Sequence, residues 1–340
     1  ATAAAAAAAA GNGGGGSSKR GRKTRSSAAA AAAAAANLGG SGGAPGSGVS
    51  GGSLMSSGGE SGGGSGGAAS QLADATDDSE EAYCAALRPL MYDAAELGPH
   101  HIYITNARED LRQGAHIARV AREMAGLATT LPLNRSSSAL VRIDEERAVL
   151  WSIMITGPED TPYDGGAFVF DAFFPSQYPA QAPQIKFRTT GGGRVRFNPN
   201  LYKDGKVCLS LLGTWSGSKG EMWDPVVSTM LQVIVSIQSL ILVNEPYFNE
   251  PGYERLIGTA DGDKQSSQYN AAIHENTLRY AMIESLRKPP PAFAEAIQAH
   301  FKIRRKHLLG PAKERWMAGA TGERKARLEK LYEELEAELD

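Results

Sequence analysis

Between residues 139 and 187 the chain alternates apolar with less apolar side chains, which is the period-two spacing of extended strands. The alternation occurs in four runs, at residues 140–143, 149–155, 167–174 and 185–187. The links at 144–146 and 164–166 are short and acidic or glycine-rich. Parallel strands would need crossovers of about a dozen residues or more, so these links predict a four-stranded antiparallel meander. They do not predict a doubly wound nucleotide-binding sheet.

The first 80 or so residues contain too few large apolar side chains to build a core. Residues 1–10 and 28–36 are almost pure alanine, and residues 39–69 are dominated by glycine and serine. Ordering such a segment would cost backbone entropy with little apolar burial to offset it. We therefore predict a disordered low-complexity leader over residues 1–98. Its basic run at residues 19–25 is a nuclear address, a nucleic-acid contact or an ordinary solvated cluster.

Charge and cysteine content exclude several classes of function. A formal net charge of −2 argues against a dedicated nucleic-acid-binding fold, which would present a basic stripe. The two cysteines, Cys84 and Cys208, lie far apart, so neither a disulfide framework nor a zinc site with paired thiolates is expected. This cysteine usage predicts a reducing compartment, the cytoplasm, the nucleus or both. No secretory signal is visible, and the chain begins with Ala rather than Met, as a piece of a longer protein would.

Helical patterns lie on both sides of the predicted sheet. A first amphipathic helix is predicted over residues 107–128. The arginines on its outer face are Arg108, Arg112, Arg119 and Arg122. After Pro225, residues 226–243 are apolar nearly all round, which predicts a buried central helix. A membrane span is the rival interpretation, but about 18 residues with two glutamines are too few and too polar, so no membrane partner is expected.

The C-terminal part is predicted to be helical. Helical runs at residues 267–288, 293–309 and 323–339 are separated by proline and glycine breakers. The last run has an apolar seam that could dock on this domain or on a partner, formed by Leu328, Leu331, Leu335 and Leu339.

These elements together predict an α+β fold with one core domain. Its order is an N-terminal helix, the four-stranded meander, a long loop, the buried central helix and C-terminal helices. We predict a core domain over residues 99–290 and a peripheral C-terminal helical extension over residues 291–340.

The long irregular stretch at residues 189–225 contains Cys208, and loops of that length are usually functional. Acyl transfer through sulfur needs an accessible thiol that can become a thiolate, and a donor aimed at the oxygen that turns negative. Asn200, which follows the rigid Pro199, is a candidate donor. The Asp204-Gly205 pair predicts a tight turn that would fold Asn200 and Cys208 towards each other.

The residues alone leave other interpretations of Cys208 open. Most single cysteines are small buried hydrophobes, an interpretation that suits Cys84 and competes with the functional one for Cys208. A cysteine hydrolase would need a histidine base within reach. The chain has six histidines, and all lie outside the strand-and-loop region.

Several short motifs surround the Cys208 loop. They are Thr-Gly-Pro at 156–158, Thr-Pro-Tyr-Asp-Gly-Gly at 161–166, Phe-Pro-Ser-Gln-Tyr-Pro at 174–179, Asn-Pro-Asn at 198–200 and Trp-Asp-Pro at 223–225. With a cysteine eight residues after Asn200, they resemble the core of the ubiquitin-conjugating (E2) enzyme family. The Leu-Leu-Gly-Thr-Trp at 211–215 and residues 244–254 resemble the large, extended members of that family. The resemblance covers roughly residues 100–308.

The resemblance implies a two-step acyl relay. Cys208 would accept ubiquitin as a thioester from the activating enzyme (E1) and pass it to a substrate lysine. Asn200 matches the family asparagine that stabilises the oxyanion or shapes the active loop. The implied partners are ubiquitin, the E1, protein substrates and a ligase (E3) where one is needed. No cofactor is implied, because ATP is consumed by the E1. Extended members often combine conjugating and ligase roles, so an E2/E3 hybrid is one form of this function.

Some positions depart from the family pattern. Asn198 stands where the family has a histidine with a structural hydrogen-bonding role, and Ala180 stands where many relatives place a bulky apolar residue that docks ligases. Glu250 is a candidate counterpart of the acidic residue that, in many relatives, lowers the pKa of the incoming lysine. Two alternative functions follow from the same resemblance: an inactive E2-like scaffold that only presents ubiquitin or a partner, and a carrier of another ubiquitin-like modifier.

Overall fold

The computed structural model describes residues 78–109, 114–218 and 220–340. Most of the predicted leader, up to residue 77, and its basic run at 19–25 lie outside the described residues. The helices of the described part are α1 (Glu80–Leu87), α2 (Ile104–Glu109), α3 (Gly114–Thr130), α4 (Met230–Ser236), α5 (Ala260–Asn276), α6 (Glu284–Arg287), α7 (Ala294–His307), α8 (Lys313–Met317) and α9 (Gly322–Leu339). A π-helical turn extends α4 over Ile237–Ile241, and others join α5 to α6 over Thr277–Ile283 and α7 to α8 over Leu308–Ala312.

A single five-stranded sheet forms the centre of the fold. Its strands, in spatial order, are β1 (Tyr92–Ala95), β2 (Ala139–Asp144), β3 (Leu150–Thr156), β4 (Ala167–Phe173) and β5 (Gln184–Phe187). Strands β2 to β5 pair antiparallel, with Leu140 opposite Met154 and Met154 opposite Val169. The predicted α+β class and the antiparallel meander are confirmed.

The fold begins earlier than predicted. Strand β1 pairs parallel with β2, with Tyr92 opposite Val141, and α1 precedes it with Tyr83 and Leu87 fully buried. The predicted leader boundary at residue 98 is therefore wrong, because α1 and β1 belong to the folded domain. Strand β1 has four residues, which are too few to show the alternation of apolar and polar side chains that identifies a strand. It is stabilised by pairing with the distant β2, which local composition does not predict.

The inner face of the sheet packs against the central helix. Inward side chains of β2, β3 and β4 share one apolar cluster with Met230, Val233 and Ile234 of α4. This helix begins at Met230 rather than at the predicted residue 226, because Thr229 and Gln232 form a capping box. Residues 226 and 227 are exposed instead of buried: Val226 is 81% and Val227 64% exposed.

The C-terminal helices cover the outer face of the sheet. Leu140, Met154 and Val169 share a second apolar cluster with buried residues of α7 and α9. The buried members of the predicted seam on α9 are Leu328, Leu331 and Leu335. Since β2, β3 and β4 are buried on both faces, the extension predicted over 291–340 packs as part of the core domain rather than as a peripheral tail.

The predicted helix over residues 107–128 is divided into α2 and α3. Residues 110–113 between them, including Arg112, lie outside the described residues. Arg119 pairs with Glu123 at 2.9 Å and donates to the Ser228 carbonyl oxygen at 2.7 Å, so it links α3 to the segment before α4. Arg108 and Arg122 are exposed. No helix in the described ranges is both long and apolar enough to cross a bilayer.

Candidate active site

The chain after β5 folds into a small hairpin whose two arms carry Asn200 and Cys208. Leu201 pairs with Val207 across the arms. At the turn, Gly205 has a φ of +86°, and a Cβ there would lie 2.5 Å from a carbonyl oxygen of β5. Only glycine fits both constraints. The predicted tight turn is confirmed.

Two hydrogen bonds join the predicted site residues. The Cys208 N–H donates to the Asn200 carbonyl oxygen at 2.9 Å, and Asn200 Nδ2 donates to the Cys208 carbonyl oxygen at 2.8 Å. An amide nitrogen carries a second hydrogen, so Asn200 keeps donor capacity beyond this bond. The structure therefore brings Asn200 and Cys208 together, while their chemical roles stay predictions.

Cys208 is buried, with 1% of the residue exposed, although we expected an accessible thiol. The segment after it folds back along the hairpin. The Leu209 N–H donates to the Thr214 hydroxyl at 2.9 Å, and that hydroxyl donates to the Val207 carbonyl oxygen at 2.7 Å. A local movement must uncover the thiol before it can react with a partner of protein size.

Asn198 is fully buried and uses its whole hydrogen-bonding capacity. Its Nδ2 donates to the Ile241 carbonyl oxygen at 2.7 Å and to the Tyr163 hydroxyl at 3.2 Å. Its Oδ1 accepts from the Asn200 N–H at 2.8 Å and from Asn249 Nδ2 at 3.4 Å. A neutral imidazole offers one donor and one acceptor, so the amide makes more bonds here than histidine could. The departure from the family histidine thus leaves a satisfied buried network.

Tyr163 supports this network from the turn after β3. Its hydroxyl donates to the Phe197 carbonyl oxygen at 2.8 Å. Burial raises the pKa of Tyr163 well above its ordinary value, so the hydroxyl keeps its proton. Gly157 passes so close that a Cβ there would lie 1.8 Å from the Tyr163 carbonyl oxygen. Glycine is therefore required in the Thr-Gly-Pro motif.

Glu250 reaches the hairpin through Arg196. Arg196 Nη2 lies 3.1 Å from Glu250 Oε2 and donates to the Pro199 carbonyl oxygen at 2.6 Å. The guanidinium also lies over the Tyr202 ring, 4.4 Å from its centroid. Because both charged side chains are about two-fifths exposed, the pair itself contributes about 1 kcal/mol at most. Through Arg196, the Glu250 carboxylate is nevertheless connected to the Pro199 carbonyl oxygen, next to Asn200.

Ala180 lies in an exposed loop next to Trp223. Trp223 Nε1 donates to the Pro179 carbonyl oxygen at 2.7 Å, which fixes the loop against the segment before α4. The small side chain of Ala180 is exposed. The predicted ligase-docking position is therefore on the surface, but without a bulky side chain.

Four histidines, His101, His274, His300 and His307, have partners away from the hairpin. These partners are the Trp151 carbonyl for His101, Tyr83 and the Gly165 carbonyl for His300, Asp164 for His307, and the Trp316 ring for His274. None of these contacts supplies the base that a cysteine hydrolase needs. Across residues 78–109, 114–218 and 220–340, no group of three or more His, Cys, Asp or Glu residues is arranged to hold a metal.

Thr214, Asn249, Arg196 and Tyr163 were not assigned roles from the sequence. Thr214, Tyr163 and Asn249 lie inside segments that carry the family resemblance, so those segments could have drawn attention to them. Arg196 reaches Glu250 through a contact between distant segments, which no local pattern in the sequence predicts.

Comparison with known proteins identifies the family. The family model described as "Ubiquitin-conjugating enzyme" matches residues 119–277. The mouse protein named "Dual E2 ubiquitin-conjugating enzyme/E3 ubiquitin-protein ligase BIRC6" is 46% identical over 252 residues, which cover 70% of this chain and 5% of that protein. "Probable ubiquitin-conjugating enzyme protein 17" of Caenorhabditis elegans is 53% identical over 194 residues, 57% of this chain and 26% of the relative.

A shorter relative is covered over most of its length. "Putative ubiquitin-conjugating enzyme E2 38" of Arabidopsis thaliana is 40% identical over 230 residues, which are 67% of this chain and 68% of the relative. The region matched by the family model includes strands β2 to β5, the Cys208 hairpin and the central helix. The chain belongs to the ubiquitin-conjugating enzyme (E2) family.

Proposed function

We propose that this chain carries ubiquitin as a thioester on Cys208 and transfers it to the amine of a substrate lysine. The observation that carries the proposal is the pairing of Cys208 with Asn200 by two hydrogen bonds, at 2.9 Å and 2.8 Å, in a member of the E2 family. The ubiquitin, the E1 and the lysine substrate are the proposed partners.

The first step is a thioester exchange. The Cys208 thiolate attacks the carbonyl carbon of ubiquitin's C-terminal thioester on the E1. The bond to the E1 sulfur breaks, and that sulfur leaves as a thiolate. One thioester replaces another, so this chain needs neither ATP nor a cofactor of its own.

The second step transfers the acyl group to nitrogen. A neutral lysine amine attacks the Cys208 thioester, an oxyanion forms, the attacking nitrogen releases a proton to water, and collapse expels the Cys208 thiolate and leaves an amide. The Asn200 side-chain amide supplies the donor to the oxyanion. Losing one such donor typically lowers the rate on the order of 10²- to 10³-fold, and Asn200→Ala is expected to fall in that range for lysine discharge.

Incubation of the chain with E1, ubiquitin and ATP tests the first step. We expect an adduct that thiol reagents release. Cys208→Ala should abolish it, Cys84→Ala should leave it intact, and Cys208→Ser should give an ester that resists thiol reagents. An adduct that survives Cys208→Ala would refute the proposal.

Two alternatives are separated by the same assay. An inactive scaffold would form no adduct while still binding ubiquitin. A carrier of another modifier would be charged by that modifier's own activating enzyme in preference to ubiquitin, so competition among several modifiers with their activating enzymes decides the identity of the cargo.

A combined E2 and ligase role is a further proposal, and its support is that the relative BIRC6 is named for both activities. This chain spans 5% of the length of BIRC6. The test is transfer to an added acceptor protein with E1, ubiquitin and this chain alone. Product without a separate ligase supports the hybrid role, and dependence on an added ligase refutes it for this chain.

A further inference from the structure

Thr214 binds the backbone on both sides of Cys208. Its hydroxyl oxygen accepts from the Leu209 N–H at 2.9 Å and donates to the Val207 carbonyl oxygen at 2.7 Å. A hydroxyl has one proton, so the longer contact of 3.3 Å to the Leu209 carbonyl oxygen is secondary. The exposed Thr214 side chain thus bridges Val207 and Leu209, the two neighbours of the buried Cys208. We call these two hydrogen bonds the Thr214 bridge.

The opposite side of Cys208 is held by Asn200, which pairs with both the N–H and the carbonyl of Cys208. The backbone of Cys208 therefore lies between the hairpin arm and the turn at residues 209–214. With these contacts made, Cys208 is 1% exposed. Because the Thr214 bridge is at the surface, water can compete for it, and it can open more readily than the buried contacts of Asn198.

The Thr214 bridge also occupies a backbone donor next to the nucleophile. The N–H that follows a nucleophile often serves as an oxyanion donor in acyl transfer. Here the Leu209 N–H is directed to the Thr214 hydroxyl instead. While the bridge is closed, the Asn200 amide is the donor that remains beside Cys208.

We propose that Thr214 is a positioning residue for acyl transfer, whose hydroxyl holds Cys208 against Asn200 and keeps the Leu209 N–H out of the reaction. This inference rests on the thioester chemistry of the proposed function. Small displacements of reacting groups have large kinetic effects, up to about 10²-fold for about 1 Å. The Thr214 bridge therefore has two opposite effects on the reactivity of Cys208. It lowers the access of reagents to the free thiol, and it raises the rate of acyl transfer from the thioester to lysine.

Thr214→Val removes the hydroxyl and keeps the shape, and Thr214→Ser keeps the hydroxyl, so the two variants form a matched pair. In single-turnover discharge of the charged enzyme to free lysine, we expect Thr214→Val, which removes both hydrogen bonds of the hydroxyl, to lower the maximal rate about 10-fold, a size typical of the net effect of a lost hydrogen bond. The lysine concentration at half-maximal rate should not change. Thr214→Ser should keep the wild-type rate.

The second measurement needs no ubiquitin chemistry. Iodoacetamide labelling followed by mass spectrometry compares Cys208 with Cys84, which lies on α1 and serves as the internal reference. Thr214→Val should raise the labelling rate of Cys208 several-fold and leave Cys84 unchanged. If the wild type forms no thioester, the proposed function fails, and the labelling experiment still tests the Thr214 bridge.

Several outcomes would overturn the inference. Thr214→Val could match the wild type in both measurements, in which case the bridge has no effect. Equal defects in the valine and serine variants would assign the effect to bulk rather than to the hydroxyl. Faster labelling of both cysteines would indicate general loosening of the fold rather than local positioning.

Discussion

At the residue scale, Asn198 joins the active loop to three other parts of the domain. It connects the Tyr163 hydroxyl, the end of the central helix at Ile241 and the Asn249 side chain to the backbone N–H of Asn200. Its amide does not titrate, so this connection is independent of pH. A histidine buried in the same place would change its donors and acceptors only on gaining a second ring proton, which burial shifts to lower pH.

Asn198→Asp keeps the shape of the side chain but loses its donors and buries a negative charge opposite a carbonyl oxygen. We expect it to lower the free energy of unfolding by about 3 kcal/mol at pH 8, since an uncompensated buried charge costs that much. Burial raises the pKa of a carboxyl group, and its protonated form regains a donor. The deficit relative to the wild type should therefore shrink at pH 5. Urea unfolding at both pH values measures it, and a pH-independent deficit would contradict the explanation.

At the scale of elements, the start of the central helix is set by capping rather than by apolar content. Residues 226–229 precede the helix although two valines are among them, because Thr229 and Gln232 cap each other's backbone groups. This leaves Val226 and Val227 at the surface, before the start of the central helix.

Thr229→Ala removes the side-chain acceptor for the Gln232 N–H. We expect a loss of about 1 kcal/mol in the free energy of unfolding, as for other N-cap substitutions. Thr229→Ser keeps the hydroxyl and should stay within about 0.5 kcal/mol of the wild type. Denaturant unfolding compares the two variants, and equal losses would show that the cap is not the cause.

The last helix, α9, is an integral part of the fold because its buried leucines pack with the other C-terminal helices in the apolar cluster that also contains Leu140, Met154 and Val169 of the sheet. Leu335 is fully buried, whereas Leu339 in the same seam is only partly buried. Leu335→Ala should lower the free energy of unfolding by about 2–5 kcal/mol, and Leu339→Ala by clearly less, since the cost follows burial and the cavity left behind. Similar small losses for both variants would mean that α9 is not packed in this cluster in solution.

On the scale of the whole molecule, two histidines, His300 and His274, lie in contacts that join the C-terminal helices to other parts of the domain. Nε2 of His300 faces the Gly165 carbonyl, which can only accept, so this nitrogen carries a proton; in the neutral ring Nδ1 then accepts from the Tyr83 hydroxyl. His274 stacks on Trp316 with its ring centroid 4.6 Å away. Burial lowers the pKa of His300 to about 4 and that of His274 to about 3.

Stability should therefore fall as the pH is lowered. Between pH 6.5 and about 4 the unfolded chain binds protons at His300 and the folded chain does not, so the free energy of unfolding decreases over this range. The shift of His300 alone corresponds to about 3 kcal/mol. His300→Gln can make both hydrogen bonds without titrating and should flatten the decline. Urea midpoints from pH 7.5 to 4.5 compare it with the wild type, and identical slopes would exclude this role of His300.

Local patterns in the sequence predicted much of the architecture. Alternation identified β2 to β5, because each of these strands carries its own period of two and pairs with the next strand along the chain. The Gly205 turn and the adjacency of Asn200 and Cys208 followed from turn chemistry over nine residues of chain. Strand β1 and helix α1 were not predicted, because long-range pairing and burial stabilise them. The sequence of a short segment does not indicate such distant contacts.

Sequence by itself determined the strand order of the meander, the family and the pair of residues at the candidate site, since all three depend on local spacing and on combined motifs. Only the tertiary structure decided that the thiol is buried, that Thr214 and Asn249 hold the active loop, and that the C-terminal helices form the outer layer of the domain. The physical reason is that burial and hydrogen bonding between distant segments are properties of packing, and no single stretch of chain contains both partners.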